Sequence, residues 1–388
     1  MAMADKTSYK RSLGLLELVS LGVGGTIGSG IFVVPGIAAR LTGASSLYVW
    51  LIVAVSAPCV LVSLAAVSTR FTGSGSFYSL FESVFGKKVA VPLILLYLAS
   101  SIFGVSTIAA GIGQYISYLG ITQVLSIEVG IIAVFCCMNI IGISLSGKTE
   151  NVLTTLKIIP LILLSFFLLP FIRPENFVSS THLTTTGLLA TIIIVYWPFT
   201  GFEISAIPVE ETKDPRLIKK SLLYVMAIVV SVYLLLNISL IGSVGAPALA
   251  ASPAPIATAA NLVFAHAGPI VAFIGIVAML SALNAYIIGT SRVMQSLSAR
   301  FAVPWIGDLG MRGTPVYALI AGCGLSAALL FASNHFDELA SMSVITTLIP
   351  YIFFCIAAWV TIRDTTVRIV SVAGASSTLA ILAIYFIV

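Results

Sequence analysis

Charge is what this sequence lacks most. Asp, Glu, Lys and Arg make up 9% of its 388 residues, against about 25% in soluble domains. No polar stretch is long enough to build an aqueous domain, and 59% of the chain is hydrophobic. Apolar runs of about 20 residues, the length that crosses a bilayer, follow one another almost from end to end. The chain is therefore expected to be an all-α integral membrane protein with the lipid bilayer as its surroundings. Histidine is scarce too: the 3 present (His182, His266, His335) fall in connecting loops without metal-ligand spacing, so no metal site is expected. The 5 cysteines (Cys59, Cys136, Cys137, Cys323, Cys355) all lie inside apolar runs. Their odd number and placement argue against a disulfide framework. Also missing is G-x-x-x-x-G-K-[ST], the loop that cradles nucleotide phosphates, so ATP-driven work is not expected of this chain. Met1 to Ser12 is polar and leads straight into the first apolar run, unlike a cleaved signal peptide.

Eleven spans are expected, at about 13–41, 46–69, 89–119, 126–145, 151–172, 184–207, 220–244, 267–299, 314–333, 339–362 and 367–388. If the N-terminus is cytoplasmic, all but three of the 19 Lys and Arg residues fall on the inner side. The exceptions are Arg40 and Arg173 outside and Lys157 within a span. Such asymmetry satisfies the positive-inside rule, supports the span count and implies a multi-pass protein of the cell membrane. The net charge of +5 then needs no nucleic acid to explain it.

Within the first span, Gly22 to Gly36 collects six glycines and Pro35 in fifteen residues. Each glycine inside a helix costs about 1 kcal/mol relative to alanine. Backbone left unpaired at membrane depth is tolerated only where protein buries it or it lines a cavity. The stretch predicts a helix broken at Thr26 to Gly30 with freed amides turned to a ligand; the alternative is a small-residue face for helix packing. The sixth span is interrupted as well, by Pro198 and Gly201 in Val195-Tyr-Trp-Pro-Phe-Thr-Gly-Phe-Glu203. Two interrupted spans five apart point to an inverted five-plus-five repeat with a binding site at the bilayer midplane. The halves would be 13–172 and 184–362, with 367–388 an added helix of one transmembrane domain.

Four stretches in order then resemble the amino acid–polyamine–organocation superfamily, in particular its amino acid permeases. Gly28-Ser-Gly-Ile-Phe32 with Pro35-Gly36 looks like the family's broken first helix. Arg70-Phe-Thr-Gly-Ser-Gly-Ser-Phe-Tyr78 with Phe85-Gly86 is similar to the loop after its second. Phe199-Thr-Gly-Phe-Glu203 with Glu210-Glu-Thr-Lys-Asp-Pro215 looks like its sixth helix and the loop beyond. Ser291-Arg292, Pro304 and Gly313-Thr-Pro315 resemble the end of its eighth helix and the entry to its ninth. The resemblance implies a LeuT-type fold with discontinuous helices one and six, and secondary transport of an amino acid by alternating access, proton-coupled or exchanging. It implies neither a cofactor nor an enzyme's covalent chemistry. Two departures matter. Members often have twelve spans where eleven are counted here, which leaves oligomer contacts, a homodimer among them, open. The acidic residue common near the end of the second helix is Ala66 here.

The residues expected to bind substrate follow. The positive end of a half-helix binds anions through its amides and dipole, and the resemblance implies the substrate's α-carboxylate at the amides around Ser29, Gly30 and Ile31, with Thr26, Ile27 and Gly28 also expected to bind substrate. Carbonyls freed around Trp197, Phe199, Thr200 and Gly201 suit an ammonium group. Trp197 either covers the substrate or packs. Helix three turns Gly104, Thr107, Gly111 and Gln114 to one side, as a pocket wall or as tight packing. Helix eight offers Ser281, Asn284 and Tyr286, the last in the place of a substrate-stacking aromatic of the arginine–agmatine antiporter. Helix ten carries Thr346, Thr347 and Tyr351, again similar to that branch, whose substrates are cationic amino acids and amines.

Ionisable residues at membrane depth are functional suspects. Glu203 resembles a family glutamate implicated in gating and proton sensing, with Tyr351 as neighbour. Lys157 looks like a lysine that replaces a sodium ion in proton-coupled members, since burial disfavours its charged form; the alternative is snorkelling to the inner interface. Glu17 suits the first turn of any helix.

Overall fold

A computed structural model describes residues 13–68, 76–142, 147–178, 184–203, 212–214, 216–310 and 313–387. Among these residues the regular backbone is helical, apart from one isolated bridge between Leu13 and Thr212. A helix pairs its backbone within its own segment, which is what lipid demands. In chain order the helices are α1 (Leu15–Thr26), α2 (Ser29–Thr42), α3 (Ser46–Ser68), α4 (Ser76–Phe85), α5 (Lys87–Tyr118), α6 (Val124–Ile141), α7 (Gly147–Leu168), α8 (Thr185–Tyr196), α9 (Arg216–Val244), α10 (Ala246–Ala250), α11 (Pro255–Val263), α12 (Ala267–Arg300), α13 (Val316–Ala332), α14 (Phe336–Thr361) and α15 (Thr365–Ile387). Short 3₁₀ turns lie between several of them.

Eight segments among the described residues are long and apolar enough to cross a membrane, the first a 54-residue run from Leu15 to Ser68 that takes in two expected spans. Two shorter apolar helices, Thr185–Phe199 and Val316–Ala332, stand where the sixth and ninth spans are expected. The short helices α4, α10 and α11 fall between expected spans. Outside the described residues lie Arg70 to Gly75, His182, Glu210, Glu211, Pro215 and Arg312.

Helix α7 shows how the bundle faces its surroundings. Val152, Leu156, Ile159 and Leu163, spaced by four, three and four, are about half exposed, whereas Thr154, Lys157, Leu161 and Leu164 on the opposite side are buried. This is an apolar-out helix, as lipid contact requires, with its polar groups turned to the protein. Proline is tolerated inside α2, α3, α5, α7 and α14, at Pro35, Pro58, Pro92, Pro160 and Pro350, because neighbouring groups re-satisfy the freed backbone. Proline alone does not break a helix here. At the end of α6, Gly142 supplies the left-handed turn (φ 84°) that lets the chain leave the helix.

Candidate functional site

The first break is two residues wide. Ile27 N–H still reaches Val23 O at 2.7 Å, but Gly28 N–H turns to Thr26 O at 3.0 Å. Ile27 (φ −80°, ψ 87°) and Gly28 (φ −134°, ψ −143°) are both out of the helical region. Thr26 donates its hydroxyl to Gly22 O at 2.7 Å, closing the last turn of α1. The expected break at Thr26 to Gly30 thus narrows to Ile27 and Gly28, because Ser29 and Gly30 already open α2. The first N–H groups of α2 have no partner within their own helix and form its positive end.

The second break follows α8. A 3₁₀ turn covers Trp197–Phe199, Thr200 is extended, and Gly201 stands at φ 90°. Only glycine adopts that conformation without strain, and a Cβ there would also lie 2.8 Å from Gly25 O. Thr200 spends its N–H and its hydroxyl on Trp197 O, at 3.1 Å and 2.8 Å, so that carbonyl is less free than the sequence suggests.

The two breaks touch. A Cβ on Gly30 would lie 2.6 Å from Pro198 Cα, and Trp197 Nε1 donates to Ser29 Oγ at 3.3 Å. Tyr233, from α9, places its hydroxyl 3.0 Å from both Thr26 O and Pro198 O. One tyrosine proton is therefore shared between a carbonyl of each break.

Around this contact α5 is cut away. A Cβ on Gly104 would lie 2.6 Å from Tyr286 and 3.3 Å from Trp197, and one on Gly111 would lie 2.7 Å from Ser29 Cβ. The Trp197 and Tyr286 rings sit 5.9 Å apart at 51°. Thr107 is buried, with its hydroxyl on Phe103 O at 2.8 Å. Thr347 Oγ1 is hydrogen-bonded to Ser100 Oγ. Beside Tyr286, Ser100 and Thr347 lies a cavity of about 10 Å³, lined also by Tyr97, Ser101, Thr200, Glu203, Gly289 and Thr290. That holds about one water, far less than an amino acid. Two expected residues stand elsewhere: Asn284 accepts from Asn139 of α6 at 2.8 Å, and Gln114 lines a separate, larger cavity. Phe199 is buried between Trp50 and Tyr233, at ring distances of 5.9 and 5.2 Å.

Both ionisable suspects are buried. Glu203 accepts from Tyr351 Oη at 2.8 Å, Tyr97 Oη at 3.3 Å and Gly201 N at 3.1 Å. Lys157 is 1% exposed and donates to Gly24 O at 2.8 Å, so it does not snorkel. Thr154, one turn earlier, donates to Ser20 O at 2.9 Å, tying α7 to α1 twice. Glu17 accepts from Gly14 N at 2.9 Å, the local capping use expected of it.

Residues 13–388 match the amino acid permease family. The chain belongs to it. This permease is 25% identical to the inner membrane transport protein YbaT of Escherichia coli (strain K12), over 92% of this chain and 85% of that one. It is 24% identical to the branched-chain amino acid permease BcaP of Bacillus subtilis (strain 168), covering 92% and 82%. With the serine/threonine exchanger SteT of the same organism the identity is 26%, covering 92% and 84%. Among solved structures it resembles MhsT, crystallised with L-phenylalanine, at a TM-score of 0.70 and 16% identity over 97% of this chain and 99% of that one. That likeness shows the LeuT-type fold. As a member of a permease family the protein is a multi-pass membrane transporter of amino acids and not an enzyme.

Sequence reasoning missed Tyr97, Ser100 and Tyr233. The first two were within reach: Tyr97, Ser100, Gly104, Thr107, Gly111 and Gln114 continue a single three–four spacing along α5. The expected face stopped two members short. Tyr233 had no signal, being one aromatic in a long apolar run.

Proposed function

We propose that this permease carries an amino acid across the cell membrane by alternating access, with its N-terminus cytoplasmic and the substrate bound between the two breaks. The contact of the breaks carries this reading: Gly30 against Pro198, and Tyr233 shared by Thr26 O and Pro198 O. The start of α2 suits a carboxylate, and the break carbonyls suit an ammonium. Together they select a zwitterion over a sugar, an inorganic ion or a lipid. Substrate entry must separate groups that now touch, which is the motion of one half-bundle against the other in this class of fold. The two repeats, 13–172 and 184–362, supply one break each.

The side-chain pocket favours a neutral amino acid. Among the described residues Glu203 is the one acidic residue at the site, and both its oxygens already accept hydrogen bonds, which leaves little capacity for a cationic substrate. BcaP and SteT are named for branched-chain amino acids and for serine and threonine, and these too are neutral. The second reading, an antiporter of cationic amino acids or polyamines, rests on the Trp197–Tyr286 pair beside Glu203. Lys157 favours proton coupling, with Glu203, Tyr97 and Tyr351 as a gate.

Uptake of labelled amino acids and polyamines into proteoliposomes, with and without an inward pH gradient, tests the reading. The expected result is saturable uptake of a neutral amino acid with counterflow. Conductance without counterflow would mean a channel, binding without flux a sensor, and uptake confined to cationic compounds the antiporter.

A further inference from the structure

A second cavity, larger than the one beside Tyr286, lies away from the breaks. About 540 Å³ in volume, it opens between α2, α5, α6, the α10–α11 connection and the start of α14. It adjoins the site closely. Phe336, in its lining, and Ser29, at the first break, both press on Gly111: a Cβ there would meet them at 3.2 and 2.7 Å. In the expected orientation this is the outer side, marked by Arg40.

Glu128 of α6 lines this cavity. It is 2% exposed, and its Oε2 has no hydrogen-bond partner among the described residues. Its headgroup occupies a niche that α5 leaves by having glycine at position 113, where a Cβ would lie 1.8 Å from Oε1 and 2.8 Å from Cδ. Removing a carboxylate from water costs several kcal/mol unless a positive partner compensates. Of the charged residues in the lining, Arg40 is paired with Asp337 at 2.9 Å.

We propose that Glu128 is a reception site for an organic ammonium group, the α-ammonium of an incoming amino acid, which it holds before the substrate reaches the breaks. The inference rests on the transport reading given above. An ionised carboxylate is acceptor-only and an ammonium donor-only, and the cavity admits a whole amino acid. The neighbours on α5, Gln114 and Ser117, add neutral polar groups. The cavity's other carboxylate, Asp337, is already held by Arg40, so Glu128 is the carboxylate left for a cation.

The test compares Glu128→Gln with wild type in right-side-out and inside-out membrane vesicles, using the amino acid that the uptake panel identifies. Losing a charge-assisted contact should raise KM about tenfold at the Arg40 face. Vmax at that face, and KM at the opposite face, should stay unchanged; Vmax from the opposite face should fall by the same factor, because a variant cannot shift the substrate's equilibrium across the membrane. Methylammonium, the probe for the site, should compete with uptake at the Arg40 face in wild type and lose that effect in the variant. Gly113→Ala, which displaces the carboxylate without removing its charge, should raise KM at the same face; it decides the matter alone if Glu128→Gln does not reach the membrane. An equal KM shift on both faces, no shift, or competition by potassium ions as strong as by methylammonium would overturn the proposal. If wild type carries no amino acid, the transport reading fails first; if it does and the variants match it, the reception site alone fails.

Discussion

Lys157 Nζ lies 2.8 Å from the carbonyl oxygen of Gly24, so a buried ammonium caps the broken end of α1. Gly24 belongs to the last turn of α1, whose carbonyls have no following helix to bond. That end carries the negative pole of the half-helix. The lysine thus senses the conformation of the break: if the substrate or a motion of α1 takes the Gly24 carbonyl away, a buried charge loses that hydrogen bond.

Lys157→Met keeps the side chain's length and removes its charge. A hydrogen bond to a charged group contributes about 1.5–3 kcal/mol, so uptake driven by a pH gradient should fall at least about tenfold. Exchange without a gradient should persist. Parallel assays of gradient-driven uptake and of counterflow check this, and unchanged gradient-driven uptake would make the lysine a bystander.

Tyr233→Phe separates two jobs of one residue. Its ring packs at 5.8 Å from Trp50 and 5.2 Å from Phe199, and phenylalanine keeps both contacts. What disappears is the proton shared by Thr26 O and Pro198 O. Substrate affinity should change by about tenfold, since about 1.4 kcal/mol corresponds to that factor, with thermal stability nearly unchanged. A rise in affinity would mean that the hydroxyl competes with the substrate's ammonium for those carbonyls; a fall would mean that it holds them in place. Equilibrium binding on purified protein beside a melting curve distinguishes these outcomes, and unchanged affinity would deny Tyr233 any role at the breaks.

How legible all this was depends on whether the cue is local. Gly28 and Gly201 announce themselves because glycine has no reason to gather in a lipid anchor, and both breaks lie where the sequence places them. Proline was less informative than it looked: Pro35, Pro58, Pro92, Pro160 and Pro350 all sit inside unbroken helices, whereas Pro198, three residues from Gly201, marks a break. Burial of Lys157 was undecidable from sequence, because a lysine nine residues from Lys148 reaches the interface or not according to which face of α7 turns inward. The exposed stripe Val152, Leu156, Ile159 and Leu163 decides it. Asn284 could not be separated from Tyr286 by counting along α12, since its partner, Asn139, comes from α6. Long-range pairings of this kind leave no periodic trace.

Glu203→Gln tests the proposed gate. The carboxylate accepts from three donors on two oxygens. A glutamine has one acceptor oxygen and brings two donors of its own, so at least one of Tyr97, Tyr351 and Gly201 N must lose its partner. An unsatisfied buried donor costs about 1–3 kcal/mol. If the carboxylate gains and loses a proton during the cycle, the variant should also flatten the pH profile of uptake. Initial rates across a pH series check both effects, and a profile unchanged in shape would confine Glu203 to holding the gate's structure.

Gly28 poses the last question, packing or ligand approach. Its φ of −134° is open to any residue, so conformation does not demand glycine there. Space does: a Cβ would lie 2.7 Å from the Cβ of Ala282. Gly28→Ala should therefore destabilise the protein by about 1–3 kcal/mol through overpacking. Adding Ala282→Gly moves the methyl group from one side of the contact to the other and should restore the melting temperature. If Gly28 also serves the approach of the substrate to the start of α2, affinity should stay low in that double variant. Recovery of stability and affinity together would show that Gly28 serves helix packing alone.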